Sequence, residues 1–116
     1  MDQIGAKPHL PIYERTRRVL VRLGPVAARI AAHDKDLAGQ LRRAAASILL
    51  NLAEGAGSSR GTRRARYESA LGSAREVLAA LHVAEAWAYL QASDDVTMDE
   101  VDHLVATLVR FVRGAQ

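Results

Sequence analysis

The sequence predicts an all-α protein, an antiparallel up-down four-helix bundle with a kinked first helix. Apolar residues make up 49% of the 116 residues, but aromatic residues make up only 4%, and alanine supplies much of the apolar share. Alanine favours helices, whereas strands favour β-branched and aromatic residues. Four segments carry apolar residues at helical spacing, and only short connections separate them. This arrangement is typical of antiparallel bundles.

The chain is predicted to begin with a flexible arm over residues 1–10, followed by one bundle domain over residues 11–116. The first helix is expected over about residues 11–32, because Pro11 suits a first turn. One face of this helix carries the apolar residues Ile12, Val19, Leu23, Val26 and Ile30. Gly24 and Pro25 fall inside it. Proline removes a backbone donor and clashes with the preceding turn, so we expect a kink or a short break there.

The second helix is predicted over about residues 36–54, with Asp34 or Asp36 as its N-terminal cap. Its core stripe consists of Leu37, Leu41, Ala45, Ile48 and Leu52. Three glycines and two serines between residues 55 and 61 are expected to end this helix in a mobile turn.

The third helix is predicted over about residues 62–90, with a core stripe of Tyr67, Leu71, Ala74, Leu78, Leu81 and Ala88. The segment QASDDV forms the last connection. Thr97 and Glu100 have the spacing of a capping box, which predicts a fourth helix over about residues 97–113. One face of that helix carries Val101, Leu104, Val105, Leu108 and Val112.

The residue types exclude several kinds of site. The chain has no cysteine, so it forms neither disulfides nor thiolate zinc sites. No apolar run approaches the roughly 20 residues of a membrane span, and the N-terminus lacks the apolar core of a signal peptide. We therefore expect a cytoplasmic protein that needs no cofactor and does not bind a membrane.

The sequence does not predict an enzyme or a metal site. The four histidines show neither the i, i+4 spacing nor the Glu-x-x-His pattern of helical metal sites; they are His9, His33, His82 and His103. No serine lies in a G-x-S-x-G nucleophile elbow. The glycine-rich GAGSSRGTRR lacks the lysine and the preceding strand of a phosphate-binding loop.

The second and third helices have a second apolar side away from the core stripe. Either these helices are buried against both neighbours within the bundle, or the second sides bind other subunits. We favour a homo-oligomer, with the interface residues Ala46, Leu50, Ala53, Val83 and Trp87.

A polar stripe on the second helix consists of Gln40, Ser47, Asn51 and Glu54. These side chains are either functional ligands or structural groups that satisfy helix ends and neighbouring helices. We favour the structural role. Glu54 is unfavourable near the negative end of the helix dipole, so it is expected to pair with an arginine.

Positive charge is concentrated in the first part of the chain, since residues 1–75 carry a net charge of +8 and residues 76–116 a net charge of −5. The arginines expected to contact phosphates are Arg15, Arg18, Arg22, Arg42, Arg43, Arg60, Arg63, Arg64 and Arg66. Four of them crowd the start of the third helix and oppose its dipole, and a bound phosphate would relieve this conflict. The alternative is a solvated face, with some arginines paired to acidic residues of the fourth helix.

The segment over residues 40–57, QLRRAAASILLNLAEGAG, followed by YESALGSAREVLAAL, resembles the four-helix bundle family encoded in intervening sequences of bacterial 23S ribosomal RNA genes. The family pattern Q-[IL]-R-R-A-x-x-S-[IV]-x-x-N-[IL]-A-E-G matches here at Gln40, Leu41, Arg42, Arg43, Ala44, Ser47, Ile48, Asn51, Leu52, Ala53, Glu54 and Gly55. This resemblance implies a bundle that assembles as a pentameric ring. The chain is also similar to the accessory variability determinants of diversity-generating retroelements, which are basic pentamers that bind nucleic acid and a reverse transcriptase.

The expected function is that of a non-enzymatic, homo-oligomeric accessory protein that binds RNA or DNA. Such binding would be directed at phosphates and only weakly sequence-selective. The alternative is a protein-interaction module that docks a partner such as a reverse transcriptase without contacting nucleic acid.

Overall fold

The computed structural model describes residues 11–114, which form four α-helices and no strand. The helices are α1 (Pro11–Ala31), α2 (Lys35–Ala56), α3 (Arg60–Ala86) and α4 (Asp95–Gly114), and a 3₁₀ turn at Ala92–Asp94 precedes α4. Each helix packs against the next one along the chain, and α4 packs back against α1. The predicted four-helix bundle is therefore confirmed, whereas the predicted arm over residues 1–10 lies outside the described residues.

The predicted core stripes of α1 and α2 are entirely buried, and that of α4 is buried except for the half-buried Val105. The fully buried side chains include Ile30, Leu41, Ile48, Leu52, Leu81, Leu104 and Leu108. Apolar burial of this kind supplies the main driving force for folding. The only polar or charged residues buried within residues 11–114 are Thr16, Asp94 and Thr97, and Thr16 donates its hydroxyl to the carbonyl of Ile12 at 2.8 Å.

The expected break at Gly24 and Pro25 is absent, because α1 continues through both residues to Ala31. Pro25 lies on the exposed side of the helix, and so does Val21, whose carbonyl loses its usual partner to the proline. Val21 is 70% exposed, so water can satisfy that carbonyl without a break in the helix. A proline on the solvent side thus costs α1 one hydrogen bond but not its continuity.

Helix α2 begins and ends slightly outside the predicted range of residues 36–54. Asp34 is the cap, with an extended backbone and a side chain that accepts the amide hydrogen of Leu37 at 3.0 Å. At the other end the helix continues to Ala56, and the amide of Gly57 donates to the carbonyl of Glu54 at 3.2 Å.

The predicted range of α3, residues 62–90, is wrong at both ends. The helix stops at Ala86 because Ala88 adopts a left-handed conformation with φ of 62°. The amide of Tyr89 donates to the carbonyl of Ala84 at 2.8 Å, and that of Ala88 donates to Glu85 at 3.0 Å. These two bonds form a Schellman motif, which satisfies the last carbonyls of the helix.

The core stripe of α3 also differs from the prediction. Ala88 is exposed beyond the helix, and Leu71 and Leu78 are only half-buried. The buried residues are Tyr67, Ala70, Ala74, Val77, Ala80, Leu81 and Ala84. Because α3 packs against both α2 and α4, small residues rather than leucines fill much of its buried side.

The predicted capping box of Thr97 and Glu100 is wrong, since α4 begins two residues earlier, at Asp95. The observed box uses Gln91 and Asp94, and the amide of Gln91 donates to Oδ2 of Asp94 at 2.9 Å. Asp94 is also bound by Arg29 of α1. This contact across the bundle determines where α4 starts. Thr97 is therefore not a cap but a buried residue inside α4.

Candidate nucleic-acid interface

The antiparallel topology brings the start of α3 and the end of α4 to the same end of the bundle. This region, which we call the basic end, carries Arg60, Arg63, Arg64, Arg66, Arg110 and Arg113. Tyr67 of α3 packs against Phe111 of α4 with ring centroids 4.6 Å apart, which confirms that these segments are neighbours. The opposite end of the bundle carries the acidic residues at the start of α4.

The four arginines on the first turns of α3 differ in their partners. Arg63 donates to the carbonyl of Ser58 at 3.1 Å, and Arg64 lies 3.3 Å from a carboxylate oxygen of Glu68. Arg66 pairs with Glu54 at 3.2 Å, so the expected arginine partner of Glu54 is present. These pairs are exposed and therefore weak. Arg60 has no hydrogen bond or ion pair with any residue in the described range.

The backbone at the start of α3 is open to an anion. Ser59 is the cap, but its side chain accepts no backbone hydrogen bond, and the first turn contains no acidic residue. Amides in the first turn of a helix have no partner within the helix, and the dipole adds partial positive charge there. Arginine side chains and first-turn amides thus lie near the same helix terminus, where a phosphate group could accept from both.

The predicted arginines of α1 are largely engaged with α4. Arg15 donates to the hydroxyl of Thr107 at 3.0 Å and lies 3.4 Å from Nδ1 of His103, while Arg22 pairs with Glu100. Pairing between arginines and acidic residues of the fourth helix is therefore confirmed for Arg22. Arg18 has no partner within residues 11–114 and lies at the edge of a cavity of about 210 Å³ between α1 and α4.

Arg42 and Arg43 are exposed on α2, away from the basic end. Arg43 precedes Glu54, the partner of Arg66, by eleven residues, which is about 16 Å along a helix. The nine arginines that were predicted to contact phosphates therefore lie in three separate regions, on α1, on α2 and on α3. Only the four on α3 form a cluster.

Three of the four predicted structural polar residues, Ser47, Asn51 and Glu54, line a groove between α2 and α3. Asn51 donates to the carbonyl and the hydroxyl of Ser47 at 2.9 and 3.0 Å, and Ser73 donates to the same hydroxyl at 2.8 Å. The bond between Ser73 and Ser47 links the two helices, whereas those of Asn51 lie within α2. Gln40 differs, since it is exposed and has no hydrogen bond to a described residue.

The same groove has a volume of about 350 Å³, and we call it the α2–α3 groove. Its lining residues are Arg43, Ala46, Ser47, Leu50, Asn51, Glu54 and Arg66. Among the predicted interface residues, Ala46 and Ala53 are exposed, Leu50 is 62% exposed and Trp87 is 60% exposed, whereas Val83 is half-buried against the core. The second apolar side of α2 is thus not covered by another helix of the bundle.

Two ionisable groups have shifted pKa values through one ion pair, and a third has a pKa shifted by burial. The hydrogen bond from Arg29 holds the pKa of the Asp94 carboxyl below its ordinary value against the opposing effect of burial, and it raises the pKa of Arg29. Burial raises the pKa of the Tyr67 hydroxyl, and the charge of Arg63 partly offsets this. The Arg29–Asp94 pair was not predicted from the sequence, because Asp94 lies in a segment whose pattern indicates only a connection.

Neither a metal centre nor a membrane span is found in the described part of the chain. No group of three or more histidine, aspartate or glutamate side chains within residues 11–114 could hold a metal ion. The four helices in that range are also too polar or too short to cross a bilayer.

Comparison with known proteins identifies the family. The family model of the 23S rRNA-intervening sequence protein matches residues 9–110, which is most of the chain and includes the basic end up to Arg110. No curated protein and no solved structure matched. Because the match extends from the segment before α1 almost to the end of α4, the chain belongs to the 23S rRNA-intervening sequence protein family.

Proposed function

We propose that this protein is a non-enzymatic, homo-oligomeric accessory factor that binds nucleic acid through the basic end of the bundle. The observation that carries the proposal is the clustering of Arg60, Arg63, Arg64 and Arg66 at an uncapped helix terminus without an acidic residue in its first turn. The name of the family, which refers to 23S rRNA, supports an RNA-related role.

Binding of this kind would be directed at the phosphate backbone. Arginine presents a planar fork of donors that matches phosphate oxygens, and helix amides add further donors. The basic end has no exposed aromatic platform within the described residues, since Tyr67 is buried and packs on Phe111. Stacking on bases would contribute little, so we expect strong salt dependence and weak sequence selectivity.

The oligomer is proposed from the uncovered apolar side of α2 and the exposed Trp87 at the end of α3. Large apolar side chains on a surface groove are typical of interaction sites. The resemblance to basic pentamers of diversity-generating retroelements suggests a pentamer that works beside a reverse transcriptase in the cytoplasm. A ring would place several basic ends on one assembly and so strengthen binding through multivalency.

A titration of labelled structured RNA and duplex DNA at low salt tests nucleic-acid binding. The basic-end variant carries Arg60→Gln, Arg63→Gln and Arg64→Gln, and we expect its affinity to fall at least about tenfold. The matched control carries Arg17→Gln, Lys35→Gln and Arg75→Gln, which removes the same charge at exposed positions outside the predicted phosphate contacts. Absence of binding by the wild type, or equal losses in both variants, contradicts the proposal.

The second candidate function is a protein-interaction module that docks a partner such as a reverse transcriptase without contacting nucleic acid. The uncovered α2–α3 groove favours it, because an apolar groove with charged edges suits a protein partner as well. A pull-down from lysate with and without nuclease separates the two functions. A partner retained after nuclease treatment, together with no RNA or DNA binding by the purified chain, supports the second.

A further inference from the structure

The α2–α3 groove carries positive charge that the bundle does not neutralise. Arg43 has no hydrogen bond or ion pair within the described residues, and Arg66 is paired only by the exposed Glu54. Leu50 lies between these arginines along the groove with 62% of its surface exposed. A surface that complements this groove therefore carries an apolar side chain that contacts Leu50, with carboxylates on either side of that side chain.

The outer side of α4 has these properties. Asp95, Asp99 and Asp102 are exposed at helical spacing on one side, and none of them forms an ion pair with a residue of the described range. Val96 lies beside them, on the flank of α4 toward α1, and is 60% exposed. We call these four residues the α4 stripe. Unpaired acidic residues beside an exposed valine match the unpaired Arg43 and the weakly paired Arg66 beside an exposed leucine.

The stripe is short enough to lie along the groove, and the two surfaces cannot meet within one chain. The groove extends along α2 from Arg43 to Glu54, about 16 Å, whereas the stripe extends along α4 from Asp95 to Asp102, about 10 Å. Within the bundle α4 packs against α1 and α3, and its outer side points away from α2. Contact between groove and stripe therefore requires a second copy.

We propose that the α4 stripe of one subunit packs into the α2–α3 groove of the next, an inference that rests on the homo-oligomer proposed above. Such a contact is heterologous, because each copy presents two different surfaces, and its repetition builds a ring or an open chain. The alternative two-fold contact between grooves would place Arg43 and Arg66 of both copies in one apolar interface. Like charges that face each other in an interface disfavour association.

Charge reversal with sedimentation velocity tests this contact. The groove variant carries Arg43→Glu and Arg66→Glu, the stripe variant Asp99→Arg and Asp102→Arg, and the swapped variant all four. We expect the groove variant and the stripe variant each to associate at least about tenfold more weakly than the wild type. We expect the swapped variant to recover most of the lost association. Lys35→Glu with Arg75→Glu is the control, because it changes the charge as much as the groove variant but lies on neither surface. Circular dichroism verifies the helix content of every variant.

The outcomes separate the docking inference from the proposed function. If the wild type is oligomeric and the groove and stripe variants associate as strongly as it does, the docking inference is overturned, but the homo-oligomer is not contradicted. A swapped variant that stays as dissociated as the groove and stripe variants also overturns it. A wild type that remains a monomer at micromolar concentration contradicts the homo-oligomer itself.

Cysteine cross-linking provides a second measurement that does not depend on charge reversal, because the chain has no cysteine of its own. With a short bismaleimide, Leu50→Cys with Val96→Cys is expected to give a ladder of covalent oligomers. Either substitution alone is expected to give monomer. Efficient dimer formation by Leu50→Cys alone indicates the two-fold groove contact and overturns the docking inference.

Discussion

At the scale of single residues, Gly55 allows the ring of Tyr67 to lie directly against the backbone of α2. A Cβ atom at Gly55 would lie 2.8 Å from Cδ1 of Tyr67 and 3.2 Å from Cβ of Arg66. Tyr67 cannot easily move, because it is buried and packs on Phe111. The glycine that closes the Ala-Glu-Gly part of the family pattern thus serves helix packing at the edge of the basic end.

We predict that Gly55→Ala destabilises the fold by about 1–3 kcal/mol, because the tyrosine ring or the helix must shift. Gly72→Ala is the matched control. Gly72 lies inside α3, and a Cβ atom there would have nothing within 4 Å, so alanine should stabilise the helix by about 0.5–1 kcal/mol. Urea unfolding measures both. Equal effects of the two substitutions would contradict the packing role of Gly55.

Asp94 is predicted to make stability depend on acid pH. Its pKa in the folded chain is lowered by Arg29, so its contribution is present above the unfolded value of 3.8 and is lost as the pH falls through the folded value. Asp94→Asn should therefore cost about 1–3 kcal/mol at pH 7, and the difference from wild type should shrink below pH 4. Urea unfolding at pH 7 and between pH 2 and 4 measures this, and a difference that is independent of pH contradicts it.

At the scale of helices, the periodicity of apolar residues predicted the existence and order of all four elements. This succeeds because burial of one side dominates helix stability, and that side is visible in the sequence. The ends are set by other contacts. Ala88 ends α3 in a left-handed conformation that is rare for alanine, and the pairing of Arg29 with Asp94 starts α4 early. Neither feature follows from local sequence preference.

We predict that Ala88→Gly stabilises the protein by about 0.5–1 kcal/mol, because glycine adopts the left-handed conformation without steric cost. Ala86→Gly is the control, since Ala86 is exposed and still helical, and glycine there should destabilise by a similar amount. Thermal unfolding of both variants measures the effect. A loss of stability in Ala88→Gly would mean that this ending of α3 is not formed in solution.

For the arginines of the candidate site, too, only part of the arrangement could be predicted from the sequence. The cluster at the start of α3 could be predicted from the sequence, because four arginines within seven residues stay together in any helix. The pairing of Arg22 with Glu100 and the contacts of Arg15 with α4 join residues more than 75 positions apart in the chain. Identifying which arginines remain available to a phosphate therefore required the packing of α1 against α4.

At the scale of the whole molecule, α2 contributes to the core on one side and leaves its other side uncovered. We predict that Leu50→Gln weakens self-association at micromolar concentration but changes the stability of the monomer by less than about 0.5 kcal/mol, since Leu50 is 62% exposed. Leu52→Gln is the contrasting variant, because Leu52 is fully buried and its loss should destabilise the fold. Unchanged sedimentation of Leu50→Gln would exclude this side of α2 from the interface.

The charges of the molecule are separated along the bundle, with arginines where α3 begins and α4 ends and acidic residues where α4 begins. A nucleic acid would therefore approach one end and be repelled by the other. This polarity arises from the antiparallel topology, which places segments that are far apart in the sequence at the same end. The separation of charge along the bundle therefore connects the antiparallel fold with the proposed phosphate contacts.

The salt dependence of RNA binding tests the central claim most directly, because it counts phosphate contacts separately from overall affinity. Each phosphate neutralised contributes about 0.7–0.9 to the slope of log affinity against log salt concentration. We predict a steep slope for the wild type, a slope shallower by about 2–3 for the variant with glutamine at 60, 63 and 64, and a nearly unchanged slope for the control at 17, 35 and 75. The same slope in all three proteins would contradict a phosphate-binding basic end.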